Sequence, residues 1–199
     1  MIKIKERLSF VRTVGRESVM EWEEPFSALT EKQLAELAAI YARNWLAMDG
    51  LWFQAVERRF GMDTAMACDV EIWETFTVIE ARRIRTFLSL PGRPGLKGLA
   101  KALPLRLYAR INPSDIRIEG NCLWYRMTDC RVQQARKRKG LPYHPCKAVG
   151  LVEYGAFARC IDPRISCECV SCYPDVTEPG AACVWKFTLC GDEAERSVP

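Results

Sequence analysis

From Thr30 to Phe87 the apolar residues recur at spacings of three and four, and the pattern is interrupted once, at Gly61. That spacing is the helical period, so this half of the chain is restricted to two long amphipathic helices joined by a turn. Thr30 and Gln33 form a capping box, in which each side chain satisfies a backbone amide of the first turn. Tyr41, Trp45, Met48, Trp52 and Phe60 belong to the apolar stripe of the first helix, and Gly61 suits a left-handed cap. The second helix starts near Asp63 and carries Met66, Val70, Trp73, Phe76, Ile84 and Phe87 as its stripe. Two such helices are predicted to pack as an antiparallel hairpin.

Past residue 88 the period changes. SLPGRPGLKG, residues 89–98, reads as a loop from its Pro and Gly content. PLRLYARI, IRIEG and CLWYRM read as three short strands, the last two joined at Gly120-Asn121. Their polar face would present Arg106, Arg110, Arg117 and Arg126. A short helix from about Cys130 to Lys139, capped by Thr128 or Asp129, follows. A second runs from Pro145, which suits a first helical position, to about Arg159. ISCECV and CVWKFTL complete the pattern as strands, with Cys183, Trp185, Phe187 and Leu189 facing inward.

This order predicts an α+β fold with an N-terminal helical hairpin, an antiparallel sheet built from hairpins, and helices packed on one face. The predicted organisation is an arm over residues 1–29 and a single α+β domain over 30–190. Within the domain, 30–88 is the helical hairpin and 104–190 is the sheet and cysteine-rich half. Residues 191–199 are expected to be a disordered tail. No Gly-rich loop follows a strand, so nucleotide binding has no support.

With 49% hydrophobic and 27% charged residues, the 199-residue chain has globular composition. No apolar run approaches the roughly 18 residues that span a bilayer. The N-terminus lacks the apolar core of a secretory signal. No membrane and a cytoplasmic location are therefore expected, where ten cysteines are thiols or metal ligands rather than disulfides. The net charge of +4 is unevenly spread: residues 82–139 carry a balance of +12 and the remainder −8. A solvated basic face explains this. The alternative is contact with nucleic acid through Arg131, Arg136, Lys137, Arg138 and Lys139.

Seven of the ten cysteines lie between Thr128 and Phe187, with the single histidine, His144. Cys130 and Cys146 stand where helices begin, and the positive end of a helix dipole lowers a thiol pKa. Either can serve as a nucleophile if a base is within reach, and His144, Asp49, Glu80 and Glu153 are the acid–base candidates. Cys169 and Cys172 form a C-x-x-C pair. Cys130, Cys146, Cys169 and Cys172 together would make a four-sulfur zinc site, and three cysteines with His144 a mixed one. Plain burial is the competing fate of free cysteine. Cys183 can reach the same centre, whereas Cys68, Cys122 and Cys190 are assigned to packing or surface.

Asp49 and Gly50 break the apolar run NWLAMDGLWF. Either Gly50 marks a close helix crossing with Asp49 capping a neighbour or paired with arginine, or Asp49 stands on a pocket wall. Glu80 poses the same question.

The segments NWLAMDGLWFQAVERRFGMDTAM, VIEARRIR, MTDCRVQQARKRKGLPYHPCKAVGLVEYGAFARCIDPRI, CVSCYPD and CVWKF resemble an uncharacterised prokaryotic family described as cytosolic protein. The resemblance covers nearly all of the chain after Thr30. More distantly the chain resembles the L-2-amino-thiazoline-4-carboxylate hydrolase family and 4-vinyl reductase domains. Those share a late cysteine, a Pro-Cys helix start and a final Cys-x-x-Phe-like strand, here Cys183 to Phe187. The resemblance implies helices layered on an antiparallel sheet around a small-molecule pocket, with Cys130, Cys146 and Cys183 as site residues and a homodimer as the assembly. Cys160 and Cys167 depart from the family pattern.

Three functions follow as expectations. The first is a small-molecule-binding domain with a cysteine cluster, optionally zinc-loaded, serving as sensor or carrier. The second is a hydrolase of small C–N or C–S heterocycles using Cys146 or Cys130. The third is a nucleic-acid-contacting module on the basic face.

Overall fold

The computed structural model describes residues 12–14, 17–19, 26–178 and 180–191. The expected tail and the EWEEPF stretch before Ser27 lie mostly or wholly outside these residues. The chain falls into two compact units, Met1–Ile40 and Tyr41–Pro199.

In the first unit, β1 (Arg12–Val14) pairs antiparallel with β2 (Glu17–Val19). The capping box forms as expected: the Thr30 amide donates to Gln33 Oε1 at 2.9 Å, and the Gln33 amide donates to Thr30 Oγ1 at 3.3 Å. Helix α1 (Glu31–Phe60) starts there.

In the second unit, α1 ends at Gly61, whose φ of 87° is a conformation only glycine takes without strain, and α2 (Met62–Phe87) follows at once. Trp45 stacks on Phe76 at 5.2 Å, so the two helices do meet as a hairpin. The expected apolar stripe of α1 is nevertheless largely exposed, with Met48 at 66% and Trp52 at 68%. A different face turns inward, carrying Asp49, Gly50, Phe53 and Glu57. On α2, Trp73, Thr77, Ala81 and Ile84 are buried, while Phe87 is open to solvent.

Residues 89–98 are not wholly loop. Helix α3 (Gly95–Ala102) forms within and beyond them, its Gly95 amide donating to the buried Asp162 carboxylate at 2.8 Å. Arg164 beside Asp162 holds that carboxyl low, at about 2, so the anion is ready to receive the amide. The strand expected in PLRLYARI is absent; two 3-10 turns, Leu103–Leu105 and Tyr108–Arg110, replace it. Alternation misled here because Arg106, assigned to an outer face, is buried. Its Nε donates to Glu80 at 2.9 Å and its Nη2 lies 2.8 Å from Glu153. A buried arginine needs such partners.

The remaining elements stand close to their expected limits. They are β3 (Ser114–Glu119), β4 (Cys122–Met127), α4 (Arg131–Arg138), α5 (Lys147–Ile161), β5 (Ile165–Ser171) and β6 (Cys183–Leu189). The four strands form one antiparallel sheet in the order β3-β4-β6-β5. Its inner face is built from the pairs Leu123↔Phe187, Tyr125↔Trp185 and Met127↔Cys183. Helices α3 and α5 cover that face, and α5 packs in turn on α2. Gly150 lets α5 lie directly on the sheet, because a Cβ there would stand 2.5 Å from Trp185. The fold is α+β, with helices layered on one face of an antiparallel sheet. Among the described residues, no helix is long and apolar enough to cross a membrane.

Candidate functional site

A cavity of about 420 Å³ opens between the inward face of α1 and the ends of α2, α4, α5, β4 and β6. That is within the usual range for small-molecule pockets. Its walls are mostly apolar and aromatic, with Phe53, Trp73, Tyr108, Tyr154 and Trp185 contributing rings.

Four cysteines line it: Cys130, Cys146, Cys172 and Cys183. The helix starts bring in the first two, since Cys130 is the N-cap of α4 and Cys146 that of α5. The turn after β5 brings in Cys172, which bridges to Asp175 as the Tyr173-Pro174-Asp175 turn anticipated. The first residue of β6 is Cys183. All ten cysteines are free thiols.

Cys146 is the centre of the arrangement. Its sulfur lies 3.7 Å from Cys172 Sγ and accepts a hydrogen bond from Gln133 Nε2 at 3.3 Å. His144 stands beside it and faces Asp69 on its other side, with Nε2 3.3 Å from Asp69 Oδ2. The Cys172 thiol as donor lowers the Cys146 pKa most, and His144 and Gln133 add to this, so that despite burial it falls to about 5. His144 moves the other way, to about 9: burial opposes its charge, but Asp69 and Cys146 outweigh burial. Between those values the pair is thiolate and imidazolium. The Nδ1 atom of His144 is buried without a well-formed hydrogen bond, and the neighbouring Cys146 sulfur favours its protonated form.

Gln133 fixes this geometry. Its side-chain amide donates to the His144 carbonyl at 2.8 Å, and its oxygen accepts from the His144 amide at 3.0 Å. Cys172, the donor, keeps its proton, with a pKa raised by the neighbouring Cys146 and Cys183 sulfurs and by burial.

Cys130 behaves otherwise. Although it caps α4 and receives backbone amides of Gln133 and Val132, burial pushes its pKa up to about 12. It is a neutral wall of the cavity. Cys169 does not line the cavity, and burial raises its pKa too. The four sulfurs expected around zinc are thus not gathered. Among the described residues, no three His, Cys, Asp or Glu side chains are placed as a metal ion requires.

Asp49 stands on the cavity wall and accepts a hydrogen bond from the Tyr108 hydroxyl. Burial raises its pKa. No close helix crossing occurs at Gly50, where a Cβ would meet only Gln54 at 3.8 Å. Glu80, in contrast, is off the wall: it binds Arg106 and accepts from the Leu107 amide at 2.8 Å. Glu153 does line the cavity, and burial raises its pKa to about 7 against the opposing pull of Arg106.

On the basic stretch, Arg136 is buried in a bidentate pair with Glu57 at 2.7 and 2.8 Å, and Lys139 donates to Gln54 at 2.8 Å. Arg136 is thus not free for phosphate. Three site residues escaped sequence reasoning. Asp69 was detectable, because it falls on the same helical face as Met66 and Trp73, where a carboxylate is out of place. Gln133 and Tyr108 carry no such signal.

Fold and site together define an α+β protein with a thiol-lined cavity of ligand size. The chain belongs to a family of unknown function (DUF6125), matched over residues 27–189. No curated protein matches it.

Proposed function

We propose that the protein binds a small, largely apolar molecule in this cavity and engages it through the Cys146 thiolate. The observation that supports the reading is the position of Cys146: a sulfur held by Cys172, His144 and Gln133, at the wall of an apolar cavity of about 420 Å³. A thiolate is the nucleophilic form of cysteine, and a dry, shaped cavity is where a bound electrophile meets it. Iodoacetamide at pH 6 tests this, with Cys146 expected to react first. Its failure to react ahead of the other thiols overturns the proposal.

The same two sulfurs also bear on zinc. Zn–S bonds of about 2.3 Å place tetrahedral ligands roughly 3.8 Å apart, close to the Cys146–Cys172 spacing. Metal content is therefore measured on the same preparation. One zinc per chain with Cys146 unreactive overturns the free-thiolate reading.

A hydrolase of small C–N or C–S heterocycles is the second reading, favoured by the order Cys146, His144, Asp69. In such a step the thiolate adds to the ring carbon, the imidazolium gives its proton to the departing nitrogen or sulfur, and water releases the product. Loss of heterocycle turnover in a folded Cys146→Ser protein would support it, and unchanged turnover would exclude it. Homodimerisation, in a reducing cytoplasm, belongs to the same proposal. Its support is the exposed apolar side of α1, where Tyr41, Leu51 and Trp52 are open to solvent. Light scattering should give twice the chain mass.

A further inference from the structure

Two of the four cavity thiols stand in direct contact. Cys146 lines the cavity and is flanked by the donors Gln133 and Cys172. Cys172 lies beside it, sulfur to sulfur at 3.7 Å. A disulfide requires about 2.05 Å, so the sulfurs need to close by less than the width of one atom. The backbone already holds the two segments together. The Lys147 amide donates to the Tyr173 carbonyl at 2.9 Å, and Lys147 Nζ pairs with Asp175 at 2.8 Å on the outer side.

We propose that Cys146 and Cys172 form a redox pair in which a hydroperoxide with an apolar substituent oxidises Cys146 and Cys172 resolves it to an intramolecular disulfide. The inference rests on Cys146 being the reactive thiolate of the cavity. A thiolate that is accessible and stands beside a second thiol is the arrangement in which sulfenic acid is captured before further oxidation. In the first step the Cys146 sulfur attacks the outer peroxide oxygen and the O–O bond breaks. Sulfur is oxidised to sulfenic acid, the peroxide is reduced to an alkoxide, and the His144 imidazolium supplies the proton that makes it an alcohol. In the second step the Cys172 sulfur attacks the sulfenic sulfur. The S–O bond breaks and the hydroxyl leaves with the Cys172 proton as water. Two equivalents of an external thiol return the pair to the dithiol and leave as their own disulfide. The apolar walls select an organic hydroperoxide over hydrogen peroxide.

Cys172 has two other neighbours. Cys169 is its C-x-x-C partner but does not line the cavity, and Cys183, which does line it, is a second sulfur neighbour. The disulfide that forms therefore identifies the mechanism.

The test treats the reduced full chain with one equivalent of cumene hydroperoxide and maps the products by mass spectrometry without reduction. The expected result is a loss of two hydrogens, mapped to Cys146 and Cys172, formed faster than with hydrogen peroxide. Cys172→Ser should stop at a Cys146 sulfenic acid that dimedone traps, and Cys146→Ser should give neither product. Dimedone added to the unsubstituted chain from the start should lower the disulfide yield, a readout that needs no variant. A disulfide between Cys172 and Cys169 or Cys183 overturns the proposal. So does a Cys146 that alkylates quickly yet resists the peroxide, and in that case the ligand-binding thiolate reading stands. Slow alkylation together with no oxidation means that the thiolate reading itself has failed.

Discussion

The starts of α4 and α5 present the same local feature to the same cavity, and they have opposite chemistry. Cys130 caps α4 and Cys146 caps α5, so both sulfurs meet the positive end of a helix dipole. Yet the first has its pKa raised to about 12 and the second lowered to about 5. Gln133 shows why. Its backbone amide serves Cys130, and its side-chain amide serves Cys146. The dipole and the amide are not the difference between the two thiols. Cys146 alone has a second thiol as donor and an imidazolium beside it. For Cys130, desolvation wins.

The largest consequence is selectivity at neutral pH. From these pKa values the thiolate fractions of Cys146 and Cys130 differ by about 10⁵ at pH 7, while the weaker nucleophilicity of a low-pKa thiolate takes back about 10³. Cys146 should therefore be alkylated about 10²-fold faster than Cys130, as measured by peptide mapping after timed iodoacetamide quenching. Comparable rates would erase the distinction between the two helix starts.

Next in size is the effect of the imidazole. In His144→Asn the midpoint of the Cys146 rate–pH profile should move up from about 5, by about one to two pH units, while the Cys130 profile stays in place. Stability responds to pH with the same logic. Cys146, depressed from 9.0 to about 5, contributes stability that is full above pH 9 and lost as pH falls through about 5. His144, raised from 6.5 to about 9, contributes stability that is full below pH 6.5 and lost as pH rises through about 9. Urea titrations of the parent should therefore lose the Cys146 contribution on the acid side and the His144 contribution on the alkaline side.

How far the sequence carried this site depends on the kind of interaction involved. Helix starts at Cys130 and Cys146, the C-x-x-C turn and the inward strand of Cys183 are local signals, and all three were legible. The sheet, the hairpin of long helices and the layer order followed from periodicity. What was not legible was long-range pairing. Arg106 reads as one more outward arginine until Glu80 and Glu153 arrive from two other helices. Asp69 becomes a partner only when α5's leading loop brings His144 to it. The outward stripe of α1 misled for a related reason: its largest apolar residues are exposed, and a smaller polar face lines the cavity.

The two cavity glycines extend the comparison to packing. At Gly150 an added methyl collides with the buried Trp185 ring at 2.5 Å, whereas at Gly50 the nearest atom is Gln54 Nε2 at 3.8 Å. Gly150→Ala should destabilise the protein by about 1–3 kcal/mol through overpacking. Gly50→Ala, mid-helix and unopposed, should stabilise it by up to about 1 kcal/mol. Thermal unfolding of the two variants side by side reads the difference, and equal shifts would mean that α5 does not sit on the sheet as closely as the structure has it.

The smallest effect expected on the thiol itself separates the two tasks of Gln133. Gln133→Met keeps the backbone amide that serves Cys130 and removes the side-chain donor at 3.3 Å from Cys146. Because Gln133 comes after Cys172 and His144 among the causes that lower the Cys146 pKa, the alkylation rate of Cys146 at pH 5 should fall only a few-fold, by the strength of one hydrogen bond. Cys130 should not change at all. The same substitution also strips the His144 backbone of both its bonds to Gln133, at 2.8 and 3.0 Å. If those bonds hold the imidazole in register, the rate–pH midpoint in Gln133→Met will shift toward that of His144→Asn instead of staying near the parent. The size of that shift measures how much of the thiolate's existence is owed to a loop clamped from the neighbouring helix.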